Sequence, residues 1–501
     1  MKQLKNNLKM RSFMQVALMI VLSGLAQVVS LAKSSVMATR FGTTVGIDAY
    51  NVIFNITLFL FSFAANGITT VLIPAFTRKT NKVIINTFLM TVYTGTIIIS
   101  LLFIGLRYPV LRYFSNGNLT FISIANDIFL ILLISQFFNT YVGVTTAYFQ
   151  CIDRFNIPKV STLITSLTLV LLLFINKHAT VQYLAIITGL TTIANAAIQR
   201  GISFKYGMDI TFKVDFSNSE YRHMLQIYAP TIFSAGLYQV NLLMDSLLSS
   251  KTGAGNVTIL TYANSIIGMI NSLIITNLLI YLYPKISVAV NESLNKAKQK
   301  LFTSTMLLSF FVCIMIVGFF SLGKVFLQIL MLHGKFDNQS LILLYMCSCL
   351  YVIGLPFNVI RDIIYRFFYA IGDTQSTFIN SVIASIINLV TSIILASFLG
   401  IYGVILGTLI SSVVSMLMII RKYYIKIGFS NSKKRYMQEF TWLFIPMLIC
   451  SILSFCINSY ISLGILSTIV LTVFTLHIYI SVVLFSKGEI FKYVKSLVSR
   501  R

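Results

Sequence analysis

About fourteen apolar stretches of roughly 20 residues follow one another along this 501-residue chain, centred near residues 25, 62, 94, 132, 167, 191, 237, 269, 310, 350, 388, 411, 449 and 474. Each is long enough to cross a bilayer as a helix. Hydrocarbon offers the backbone no hydrogen-bond partner, so a segment of this kind must satisfy its own N–H and C=O groups, which an α-helix does. With 57% of residues hydrophobic and 10% charged, the composition is far from that of a soluble domain. The expected fold is an all-α polytopic membrane protein of about 14 transmembrane helices.

The chain also repeats itself. Gly24, Leu25, Gln27 and Val28 lie in an apolar run followed by a second run closing on Ile73 and Pro74; about 210 residues later Gly236, Leu237, Gln239 and Val240 precede a run closing on Tyr283 and Pro284. A second echo pairs Tyr148, Phe149, Cys151 and Ile152 with Phe367, Phe368, Ala370 and Ile371. Two like halves in a membrane protein build a cavity between them that opens to alternate sides when one half rocks against the other. The predicted organisation is an N-lobe of six spans (1–200), a polar cytoplasmic linker (201–222), a C-lobe of six spans (223–420), and two extra spans with a basic tail (421–501).

The formal charge of +25 follows from orientation. Lys and Arg near span ends are retained on the cytoplasmic side, and with the N-terminus inside that side collects Arg78, Lys79 and Lys82, Arg154 and Lys159, Arg200 to Arg222, Lys285 to Lys300, Arg421 to Arg435 and the tail. The opposite side has scattered cations such as Arg107, Arg112, Lys177, Lys324 and Lys335. Both termini are therefore expected in the cytoplasm, and the basic residues face anionic lipid rather than nucleic acid. The six cysteines lie mostly within spans and read as core packing. All loops are short and no phosphate-binding loop is present, which argues against an enzyme and against direct ATP use.

Polar residues at membrane depth are costly, so each is a functional candidate. Ser23, Gln27, Ser30 and Ser34 form a stripe on one face of the first span, with Lys33 and Arg40 beside it, either in a cavity or snorkelling to the interface. Asn51, Asn55, Ser62 and Asn66 repeat the pattern in the second span, and Asn264, Gly268 and Asn271 in the eighth; such amides either bond helix to helix or face water. Asp245 in the seventh span, between Asn241 and Ser249, can pair with a cation, bind a coupling cation or take a proton. In the tenth span Arg361, Asp362 and Arg366 follow Pro356, a residue that frees backbone groups. Asp362 and Arg366 are four apart and are expected to pair as a structural or gating element, leaving Arg361 as the spare cation. A cavity with these cations suits a phosphate-bearing amphiphile or an organic anion.

Several segments together resemble the MurJ (MviN) lipid II flippases of the multidrug/oligosaccharidyl-lipid/polysaccharide exporter superfamily: Ala38, Phe41 and Gly42 with Asp48 and Ala49; Phe63, Ala64 and Ile73 to Phe76; His333, Gly334, Lys335 and Phe336; and Phe368, Tyr369, Ala370 and Asp373. The resemblance runs from about residue 12 to residue 420. It implies a carrier in the bacterial cytoplasmic membrane that moves an undecaprenyl-pyrophosphate-linked glycan, the peptidoglycan precursor lipid II, from inner to outer leaflet by alternating access. It also implies a cationic central cavity and a groove for the prenyl tail built by the two extra spans. Where the family has functionally important arginines, this chain holds Gln27, Lys33, Phe61 and Ser265, while Asp48 keeps the family's acidic residue. The cavity candidates are therefore Gln27, Lys33, Arg40, Asp48, Asn55, Gln239, Asp245, Asn271 and Arg361.

No catalytic residue and no cofactor are expected, beyond dependence on the membrane potential or on a coupling cation, for which Asp245 is the candidate. The expected partners are the lipid-linked glycan, membrane lipids and cell-envelope synthesis proteins, with the carrier itself a monomer. Competing readings are a flippase for another lipid-linked repeat unit of exopolysaccharide or teichoic type, a cation-coupled drug exporter of the same superfamily, and a non-transporting scaffold.

Overall fold

A computed structural model describes residues 2–78, 80–209, 213–460 and 464–498; the side chains of 2–17, 19–20, 62–67, 70, 229–238, 274, 280–281, 284, 459–460, 493–494 and 496–498 are outside that description. Ser62, Phe63, Ala64, Asn66, Lys79, Gly236, Leu237 and Pro284, singled out above, fall among these undescribed positions.

The described residues form helices joined by short turns. In chain order these are α1 (Lys2–Phe41), α2 (Val45–Thr77), α3 (Lys82–Gly105), a short α4 (Arg107–Ser115), α5 (Leu119–Cys151), α6 (Asn156–Ile175), α7 (Val181–Lys205) and α8 (Ser219–Thr252). Then come α9 (Asn256–Ile270), which continues through a π-helical turn (Asn271–Ile275) into α10 (Thr276–Glu292), and α11 (Leu294–Met331), α12 (Asn338–Ala370) and α13 (Thr374–Leu399). The last are α14 (Ile401–Lys426), α15 (Lys433–Tyr460), α16 (Ile465–Phe485) and α17 (Glu489–Val498). Twelve helical segments among the described residues are long and apolar enough to cross a membrane. With α2 (33 residues) and α8 (34 residues) the long rods number fourteen, as the hydropathy predicts.

Helix starts are written locally. The side chains of Asn81, Asn118, Thr180, Asn218, Ser293, Asp337 and Asp373 each accept a hydrogen bond from a backbone N–H two or three residues on, satisfying donors that the first turn leaves unpaired. Side chains on α3, α6, α13, α15 and α16 leave large apolar groups uncovered, Phe398 and Phe485 each 81% exposed. A face of that size and chemistry is a lipid-facing one. The helix α12 runs through Pro356 without a break. A discontinuity falls instead in the eighth span, at a π turn beginning with Asn271.

Two compact units emerge: Met1–Thr261 with Gly334–Phe336, and Tyr262–His333 with Asp337–Arg501. In the first, α2 packs on α5 and α8, α5 on α7, and α1 on α6. In the second, α13 packs on α14, α12 on α11 and α14, and α11 on α15 and α16. The seventh span, α8, packs on α2 and α3 and so lies in the first unit, although the sequence repeat opens at residue 223. A repeat records likeness of sequence, whereas a unit records which segments lie close together in space.

Candidate transport site

In the first unit the polar stripe of α2 meets α8 and the start of α9. Asp48, 4% exposed, accepts from the Gly255 N–H, the Thr258 N–H at 2.9 Å and the Thr258 hydroxyl at 2.6 Å. Three donors on a buried carboxylate offset its desolvation, since hydrogen bonds to a charged acceptor are the strong ones. Asn51 donates to Thr258 Oγ1 at 3.1 Å and Asn55 to Ser246 Oγ at 2.8 Å. Of the two roles open to these amides, the bonding of helix to helix is the one the geometry provides.

Asp245 contrasts with this. It is 5% exposed, and its Oδ1 and the Ser249 Oγ one turn later are buried without a hydrogen-bond partner. No salt bridge to Asp245 forms among the described residues. Gln27 and Gln239 are half-buried, on α1 and α8. The Lys33 ammonium lies over the Phe54 ring at 5.6 Å, and Ser23 of the same α1 stripe accepts from Lys159 at 2.8 Å. The Arg40 guanidinium donates to the Phe174 carbonyl at 2.7 Å, occupying an orphan acceptor in the last turn of α6. Where the resemblance places an arginine at residue 61, Phe61 is 3% exposed and packs edge-on against Phe137 at 6.3 Å.

In the second unit the expected Asp362–Arg366 pair is replaced by another. Arg361 closes onto its neighbour, with Nη2 and Nε at 2.8 and 2.9 Å from Asp362 Oδ1. Arg366 lies over the Tyr283 ring at 5.6 Å. Neighbouring residues do diverge around a helix, but the long arginine side chain folds back across that angle, and an aromatic face offers Arg366 a partner that helical spacing does not reveal. Arg361 is thus paired rather than spare. Asn271, first residue of the π turn, is exposed.

Two features of this unit carry no sequence motif. Asn380 is a buried hub, its amide donating to Tyr365 Oη at 2.8 Å and to the Ser415 carbonyl and hydroxyl at 3.1 and 2.8 Å. An apolar cavity of about 410 Å³ opens between α11, α12, α14 and α15, lined by Phe302, Phe357, Ile364, Met416, Tyr423 and Phe444, with Lys433 among its lining residues. The pattern of aromatics at its walls is also that of ordinary core packing, so sequence alone does not distinguish them.

The family model for the lipid II flippase MurJ matches residues 37–476, which takes in the larger part of both units. The chain belongs to the MurJ family. It is 23% identical over 428 residues to a probable lipid II flippase MurJ of Borreliella burgdorferi, covering 81% of this chain and 82% of that protein. It is 23% identical over 445 residues to the one of Helicobacter pylori, covering 83% and 95%. Among solved structures it is similar to a lipid II flippase MurJ in an inward closed conformation, with a TM-score of 0.73 and 20% identity over 93% of this chain and 98% of that one. An inward-facing multidrug resistance transporter of the MATE family shares the fold at a TM-score of 0.63 and 15% identity, covering 80% and 94%. This MurJ family member is accordingly a multi-pass membrane protein.

Proposed function

We propose that this protein is a flippase that carries lipid II, a glycan on a polyprenyl pyrophosphate, from the inner to the outer leaflet by alternating access. The observation that carries this reading is the family match across residues 37–476. Two chemical features support it: the apolar cavity lined by Phe302, Phe357 and Phe444 is suited to a prenyl chain, and the Asp245 Oδ1, buried without a partner, is suited to a proton or a coupling cation. One charge crossing the full field is worth about 2.3 kcal/mol per 100 mV, enough to bias a reset step. The termini lie in the cytoplasm by the charge rule, and the carrier acts as a monomer.

A second reading, transport of another lipid-linked glycan, is favoured by Phe61, whose apolar packing leaves no guanidinium where the resemblance expects one. Gln27 and Ser265 likewise lack the bidentate fork that grips pyrophosphate. The test is complementation. Expressed in bacteria depleted of their own lipid II flippase, the chain should restore growth and make lipid II accessible at the outer face. Stable, inserted protein that gives neither would leave the second reading.

A further inference from the structure

The first unit holds, where α1 turns into α2, a cavity of about 740 Å³ lined by the cations Arg40, Lys177 and Lys335, with the imidazole of His178 among them. They come from three segments far apart in the chain, and the sequence gives no sign that Arg40, Lys177 and Lys335 meet. The backbone builds the gathering. Lys335 N–H donates to the Thr39 carbonyl at 3.0 Å, and the close approach requires glycine at two places, Gly42 (φ +60°) and Gly334 (φ +62°). A Cβ on Gly42 would strike the Lys335 carbonyl, and one on Gly334 the Thr39 carbonyl. Arg40 donates to the Phe174 carbonyl, and its Nε is buried without a partner.

Among the described residues no carboxylate lines this cavity, and none of the four cationic or imidazole groups forms an ion pair. The acidic groups nearest in sequence are engaged: Asp48 with Gly255 and Thr258, Asp127 with Gln182, and Asp337 with the Ser340 N–H. Like charges brought together without a counter-charge repel, so the arrangement favours an anion between them. By the charge rule this is the outer end of the lobe.

We propose that this cavity binds the phosphate of an amphiphile. The chemistry has two sources, the pyrophosphate of the transported lipid on its way out and the phosphodiester of an outer-leaflet phospholipid. Only the first rests on the flippase reading.

The test uses the full-length protein in neutral-lipid nanodiscs, probed with undecaprenyl pyrophosphate, phosphatidylglycerol and inorganic pyrophosphate. The Lys177→Gln/Lys335→Gln variant should bind the lipid probe roughly tenfold more weakly than wild type, with Arg107→Gln, on the same side but outside the cavity, unchanged. A loss confined to undecaprenyl pyrophosphate assigns the cavity to the transported lipid, and a loss for both lipids assigns it to phospholipid headgroups. Unchanged binding of every probe, an equal loss in Arg107→Gln, or a loss for inorganic pyrophosphate alone overturns the proposal. The Lys177→Arg/Lys335→Arg variant, which keeps the charge, should bind as wild type and guards against misfolding as the cause. Failed complementation with this binding intact would remove the lipid II reading and leave the site standing.

Discussion

Asp48 and Asp245 are both carboxylates buried in the first unit, one at the start of α2 and the other in α8, and their surroundings are opposite. Asp48 has three donors directed at it, from Gly255 and Thr258. Asp245 has an oxygen with none. A satisfied carboxylate fixes the turn before α9 against α2, whereas an unsatisfied one is held at a cost of burial that a proton, a cation or a further donor would relieve. The contrast separates a residue that ties two helices together from one with a buried oxygen that no donor reaches.

The largest test of that contrast is Asp48→Ala. It strands two buried N–H groups and should cost about 3 kcal/mol or more, seen as a lowered thermal midpoint in detergent; a stability equal to wild type would erase the distinction. Next, Asp245→Asn should leave stability within about 1 kcal/mol, because no bond to a protein partner is lost. The same change should slow flipping at least about tenfold, a barrier change of roughly 1.4 kcal/mol. Flipping at the wild-type rate would place Asp245 outside the transport cycle. Smaller again, Asn55→Ala removes the bond to Ser246 and should destabilise by about 1 kcal/mol with flipping retained; a transport defect at unchanged stability would move Asn55 from scaffold to site.

The smallest effect belongs to a third carboxylate, outside the spans. The Lys426 ammonium at 2.6 Å and the Ser376 N–H hold Asp373 down at about 2. A depressed acid stabilises fully above its ordinary range and loses that contribution as pH falls through the folded value. Asp373→Asn should therefore flatten the fall in thermal midpoint between about pH 4 and pH 2, an effect worth at most about 1 kcal/mol after solvent screening. An unaltered slope would show that the pair contributes nothing.

Much of the fold is legible in the sequence because it is local. Apolar run length sets the rods, and cap residues such as Asn118 and Asp337 set their starts. The site is less so. Helical spacing predicted Asp362 with Arg366, yet arginine's reach let Arg361 take the carboxylate and left Arg366 to Tyr283. The Asn380 hub gives no signal, since its two partner residues, Tyr365 on α12 and Ser415 on α14, lie on other helices. The π turn at Asn271 had a weak one, a polar residue in an apolar span, but Pro356 drew the expectation of a break and α12 absorbed it.

By itself the sequence determined the helical membrane class, the number of spans, the repeated halves and the motifs that mark the MurJ family. These depend on composition and periodicity along one segment at a time. Tertiary structure alone decided which buried acid is satisfied, which arginine is paired and which distant cations share a cavity. Such outcomes depend on side-chain reach and on neighbours contributed by other helices, and no period along a single helix encodes them.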